Sequence, residues 1–197
     1  MTKKLFLLIT IFCLWSNSAF AALVEGTNCG FVTVAPTTDP GGVNLGNADD
    51  ASRSGKFVAP ANGTITEIGW YCENATEEAN FEVGLYSDDG GGATSLPENL
   101  AAGSDTTNAK GTDAGWKVTT GLSIPIVSGT TYWIATQLDA TATDTIHNGQ
   151  SGSGRRSTDT TNTTALGATW GATGATTDNR FGIYAKYTPT RRIIVTT

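Results

Sequence analysis

Apolar side chains recur at every second position in short segments of this chain, and turn residues separate the segments. Successive side chains of an extended strand point to opposite faces, so this period of two marks half-buried β-strands. Residues 64–72 (TITEIGWYC) put Ile68, Trp70 and Cys72 on one face and Glu67, Gly69 and Tyr71 on the other. Residues 80–86 (NFEVGLY) put Phe81, Val83 and Leu85 together, with Glu82 and Gly84 opposite. Residues 130–138 alternate Tyr132, Ile134, Thr136 and Leu138 with Trp133, Ala135 and Gln137, and residues 180–187 align Phe181, Ile183, Ala185 and Tyr187. Shorter pieces at 30–34, 56–59, 116–120 and 122–127 extend the set, and residues 191–195 form a last strand or a tail.

From Ala22 onward no window carries apolar residues at helical spacing. Threonine suits a pleated surface, 24 glycines weaken helices, and six prolines with Asn/Asp/Gly clusters supply turns. The expectation is an all-β, antiparallel sandwich or barrel spanning residues 22–197 as one domain. Residues 157–178, rich in Thr, Gly and Ala, stand apart. They form a hairpin with a long tip, two short strands around Leu166–Trp170, or a loosely ordered loop on the rim. In the pair Tyr132–Trp133 one ring belongs to the core, and the other lies on the outer face or under a loop.

The first 21 residues read as an export signal of bacterial type. Lys3 and Lys4 precede an apolar run from Leu5 to Trp15, and Ala19-Phe20-Ala21 is a small-x-small cleavage site. The run is too short for a membrane helix, which needs about 20 residues. No later stretch could span a bilayer, so the expected location is extracellular or periplasmic. With 12 Lys+Arg against 18 Asp+Glu, the chain lacks the basic face that nucleic acid requires. Cleavage leaves two cysteines, Cys29 and Cys72, which an oxidising compartment is expected to bridge, a linkage worth about 4 kcal/mol on the chain-entropy model. Two buried free thiols are the alternative.

Five pieces of the chain carry a family resemblance. They are Phe57-Val58-Ala59-Pro60, Gly63-Thr64-Ile65, the run from Val83 through Asp88-Asp89 to Gly91, Gly115-Trp116, and Gly129-Thr130-Thr131-Tyr132-Trp133-Ile134-Ala135. In this order they resemble a jelly-roll module of secreted and surface proteins of bacteria and of some phage fibres. Members of that group are mostly uncharacterised or presumed adhesive or carbohydrate-binding. The resemblance implies a jelly-roll-like sandwich and, more distantly, a role in binding.

Catalytic signals are weak, and the expectation is no enzyme. His147 is the lone histidine and reads as a rim residue at a strand end. Residues 149–153 (GQSGS) start like a nucleophile elbow, but Ser153 replaces the final glycine, so a Gly/Ser loop fits better. Glu73, Glu77, Glu78 and Glu82 read as a solvated acidic loop. Asp49-Asp50 and Asp88-Asp89 are oxygen-rich turns that suit a structural Ca²⁺. Glycans are held by exposed aromatic rings with polar groups at the hydroxyls. The candidates are Trp170, inside a polar stretch, then Trp133 and Tyr71, each facing away from an apolar set. The leading expectation is a binding or adhesion module for carbohydrate or another surface ligand. The runner-up is a structural subunit that self-associates through the C-terminal strand at residues 189–197.

Overall fold

The computed structural model describes residues 22–105, 107–171 and 173–190. The expected export signal at 1–21 and the expected last strand or tail at 191–195 lie outside them. Among the described residues twelve strands run in chain order: β1 (Gly30–Val32), β2 (Val43–Asn47), β3 (Ala51–Val58), β4 (Gly63–Cys72), β5 (Asn80–Asp88), β6 (Pro97–Gly103), β7 (Asn108–Ala109), β8 (Gly115–Ile126), β9 (Thr131–Leu138), β10 (Ile146–Asp159), β11 (Thr173–Phe181) and β12 (Ile183–Pro189). They form two mostly antiparallel sheets packed face to face, so the expected all-β sandwich is what the chain adopts.

The first sheet has the order β1-β12-β4-β8 and the second β10-β3-β9-β5-β6, with β2 and β11 paired to β10 and β7 to β5. Within them, β1-β12-β4-β8 and β3-β9-β5-β6 have the strand order of the two four-stranded sheets of a jelly roll. One pairing departs from that pattern, because β1 runs parallel to β12. A single pairing, His147 with Cys72, ties β10 to β4 and joins the sheets at one side.

The inward residues are the ones the alternation selects. Trp70 meets Phe81 edge-on at 6.1 Å, and Ile68, Val83, Leu85, Ile134, Leu138, Phe181 and Ile183 are all buried in the same core. Ile65 and Ile68 both face inward although three positions separate them. Thr66 is the extra residue of a bulge in β4, between the pairs Tyr187–Ile65 and Lys186–Glu67 with β12, and it resets the phase; the register with β8 shifts at the same place.

The expected disulfide is not formed. Cys29 and Cys72 are both buried free thiols. Cys29 immediately precedes β1, Cys72 ends β4, and β12 lies between those strands. Two strand spacings separate the backbones by about 9.5 Å, beyond the roughly 6.8 Å reach of a disulfide. Alternation placed Cys72 facing the core but could not reveal the strand between it and Cys29. Burial pushes the Cys29 thiol up to about 12 and raises Cys72 as well. We expect thiol titration of the protein without residues 1–21 to find both cysteines unreactive when folded and two thiols in denaturant, with no reductant added. A count of zero in denaturant contradicts this arrangement.

Candidate functional site

Two of the three aromatic candidates are not available to a ligand. Trp133 is 0% exposed and Trp170 9%. The segment that follows β10 is a strap laid across the outer face of the second sheet. Leu166 and Trp170 pack there on Tyr86, Trp133 and Ala135, with Leu100 beside them, as a second small core. The Trp170 and Tyr86 rings meet edge-on at 4.9 Å. Trp170 Nε1 donates to Ser157 Oγ at 3.0 Å, and Trp133 Nε1 donates to Asp88 Oδ1 at 2.8 Å.

The strap is short of apolar residues, so polar bonds hold it. Asp159, fully buried, accepts from the amides of Thr161 and Gly171, each at 2.8 Å, and from the side chains of Thr161 and Asn162. Glu82 accepts from the Leu166 amide at 2.5 Å, and Tyr86 donates its hydroxyl to the Gly167 carbonyl at 2.6 Å. Gln137 donates to the Thr163 carbonyl, and Ser52 to that of Asn162. Gly84 makes room beneath, since a Cβ there would sit 2.7 Å from Leu166 Cδ1.

Three of the four acidic candidates accept from backbone amides. Asp88 accepts from the Gly90 amide and Asp89 from that of Gly91, while Asp49 accepts from the Thr145 amide at 3.0 Å. Asp50 is exposed, with a positive φ of 50°. The two pairs lie at opposite ends of β9. Asp50 adjoins Ala51, opposite Leu138, and Asp88 adjoins Ser87, opposite Tyr132. Six strand residues separate those ends by about 20 Å, so the pairs do not share one ion. Among the described residues no three His, Cys, Asp or Glu side chains gather as metal ligands.

The other catalytic readings change too. His147 is buried, 1% exposed, and not on the rim. Residues 149–153 belong to β10 and are not a free loop. The glutamates disperse: Glu73 accepts from Asn148, Glu77 from Thr143 and Glu78 from the Gly111 amide, and Glu82 lies under the strap.

Tyr71 is the aromatic candidate that remains partly open. It sits on the outer face of the first sheet, directly across from Trp116 in the β4–β8 register, and both are half-buried. The rings meet edge-on at 5.2 Å, and Trp116 meets Tyr184 of β12 at 5.0 Å. Gly69 makes this packing feasible, because a Cβ there would lie 2.6–2.8 Å from the Tyr184 ring atoms. The Tyr184 hydroxyl donates to Glu67 Oε1 at 2.6 Å, and Lys186 Nζ lies 3.1 Å from Glu67 Oε2. Trp116 Nε1 donates to the Thr38 carbonyl at 2.8 Å, which fixes its indole against the β1–β2 connection. Burial raises the Tyr71 phenol, as do the charges of Asp39 and Glu73 beside it, so it stays protonated at neutral pH. Val118, 38% exposed, continues the face along β8. Trp116 was missed as a binding residue because only the strand register shows its place against Tyr71.

Comparisons with protein-family models, curated proteins and solved structures found no match.

Two outcomes test this partition. Trp170→Ala removes the centre of the strap core and is expected to cost about 3–5 kcal/mol, with a red-shifted tryptophan emission as Trp133 gains water. A change within 0.5 kcal/mol or so, as at an ordinary surface site, contradicts it. Burial raises the Asp159 carboxyl, but the hydrogen bonds from Thr161, Gly171 and Asn162 outweigh it and hold the group below its ordinary value. A depressed folded value stabilises fully above the unfolded pKa of about 3.9, and the contribution fades as pH falls through the folded value. Stability should therefore fall more steeply on acidification in the wild type than in Asp159→Asn. Parallel pH profiles contradict the assignment.

Proposed function

We propose that this chain is an exported, non-catalytic recognition module that binds carbohydrate on the outer face of β4, β8 and β12. The observation that carries the reading is the half-exposed Tyr71–Trp116 pair on rigid strands. Aromatic rings offer apolar faces to sugar C–H groups, and sites on sheet residues keep their geometry better than sites on loops. Asp39, beside Tyr71, and Lys186, paired to Glu67, supply polar groups at the margin for hydroxyls. The signal-like residues 1–21 support export to a compartment where glycans are displayed.

A glycan-array screen of residues 22–197 tests the proposal, followed by titration of any hit. Trp116→Ala and Tyr71→Ala should each weaken binding at least tenfold, about 1.4 kcal/mol, with the fold retained. Binding that is untouched by both substitutions, or no binding to any sugar class, counts against it.

A second reading rests on β8. Among the described residues this 12-residue strand pairs only with β4 and leaves its other edge open, with Val118 exposed beside it. An open edge accepts a strand from another chain, and the donor in this reading is the segment beyond Pro189, which includes the undescribed residues 191–197. Pro125 interrupts the edge toward its far end. Assembly that grows with concentration and is lost when 191–197 are deleted supports self-association over glycan recognition.

A further inference from the structure

Where β10 joins the two sheets at one side, alternation turns cations inward. On β3, Gly55 and Phe57 face the space between the sheets, so Arg53 shares their side. The β3–β10 register sets Arg156 opposite Gly55 and Thr158 opposite Arg53. Arg53 and Arg156 are therefore diagonal neighbours on one face, their Cβ atoms about 7 Å apart.

His147, from the start of β10, touches the same cluster. Arg156 Nη1 lies 2.8 Å from His147 Nε2. A guanidinium can only donate, so Nε2 accepts and the imidazole is neutral with its proton on Nδ1. Burial, then the Arg53 and Arg156 charges, push this histidine down to about 3. The ring adds no charge at neutral pH and orients Arg156.

The two guanidiniums are under-partnered. Arg53 Nη2 donates to the Asn47 carbonyl at 2.6 Å. Arg53 Nε, Arg53 Nη1 and Arg156 Nε are shielded from solvent and have no hydrogen-bond partner among the described residues. Neither arginine has a carboxylate within ion-pair distance among those residues. Asp49, whose charge reaches Arg53, already has Oδ1 engaged by the Thr145 amide. Two partly buried cations set side by side, with the Asp49 charge as partial compensation, are costly, and water would satisfy the N–H groups without neutralising either cation.

We propose that Arg53 and Arg156 hold a small tetrahedral oxyanion, a sulfate or phosphate group, at this lateral edge between the sheets. Three unpaired N–H nitrogens on two guanidiniums call for several acceptor oxygens pointing in different directions. A tetrahedral anion supplies them, whereas a planar carboxylate offers two oxygens in one plane. This site is separate from the Tyr71–Trp116 face and stands or falls independently of glycan recognition.

The test is calorimetric titration of the full protein with inorganic sulfate and with inorganic phosphate at constant ionic strength in chloride, with acetate as the planar comparison. Saturable one-to-one binding is expected for either tetrahedral anion, at least tenfold tighter than acetate, and weakened at least tenfold in Arg53→Gln and Arg156→Gln. Sulfate raises the melting temperature of most proteins by exclusion from their surface. The thermal readout is therefore the rise in the wild type beyond that in the variants. Equal rises in all three proteins with no saturable heat overturn the proposal, as does acetate binding as tightly as sulfate. Should both variants fail to fold, equilibrium dialysis of the wild type with radiolabelled sulfate decides: about one bound ion per chain supports the site, and none overturns it.

Discussion

Strand β9 is buried on both faces, and much of the molecule follows from that. Its inward residues Ile134 and Leu138 enter the core between the sheets. Its outward residues Trp133, Ala135 and Gln137 are equally shielded, though that side of a sandwich ordinarily meets water. Leaving an indole and its neighbours uncovered would expose a large apolar patch, so the chain supplies its own cover. The strap from β10 lays Leu166 and Trp170 over Trp133 and Tyr86. Its backbone continues the cover by pairing with β6, where Trp170 donates to the Glu98 carbonyl and Leu100 to that of Ala168.

This arrangement sorts the aromatic residues into three environments. Trp70, Phe81 and Phe181 belong to the inter-sheet core. Trp133, Trp170 and Tyr86 form the strap core. Tyr71 and Trp116, with Tyr184 beneath them, occupy the outer face of the first sheet. The last group alone combines partial exposure with support from paired strands, and this brings the binding proposal to β4 and β8. The anion proposal belongs to the opposite sheet, where inward-facing Arg53 and Arg156 interrupt the apolar lining.

Much of the fold was legible in the sequence. β4, β5, β9 and β12 announce themselves because each carries apolar residues at alternate positions. β6, β10 and much of β11 do not, since Pro97–Gly103 and Ile146–Asp159 are mostly Gly, Ser, Asn, Ala and charged residues. Those strands exist because their neighbours offer hydrogen-bonding edges, a tertiary fact that propensity does not contain. Alternation also states which face a residue takes without stating which strand lies beside it. Cys72 was thus correctly turned inward but wrongly joined to Cys29, with β12 between them. The candidate site was less legible. Trp170 looked exposed because its neighbours are polar, yet those neighbours bond to Asp159, Glu82 and the backbone and so carry the indole into the interior. Tyr71 was readable from its phase, but its partner Trp116 required the register.

The strap's order is the central claim, because it decides which aromatic rings a ligand can reach. Hydrogen–deuterium exchange resolved to single amides measures it most directly. The Leu166, Trp170 and Gly171 amides, bonded to Glu82, Glu98 and Asp159 respectively, should exchange as slowly as those of β5 and β9. Exchange of these three amides at the rate of unprotected chain would mean that the strap is open, that Trp133 and Trp170 are accessible, and that this sorting of the aromatics is wrong.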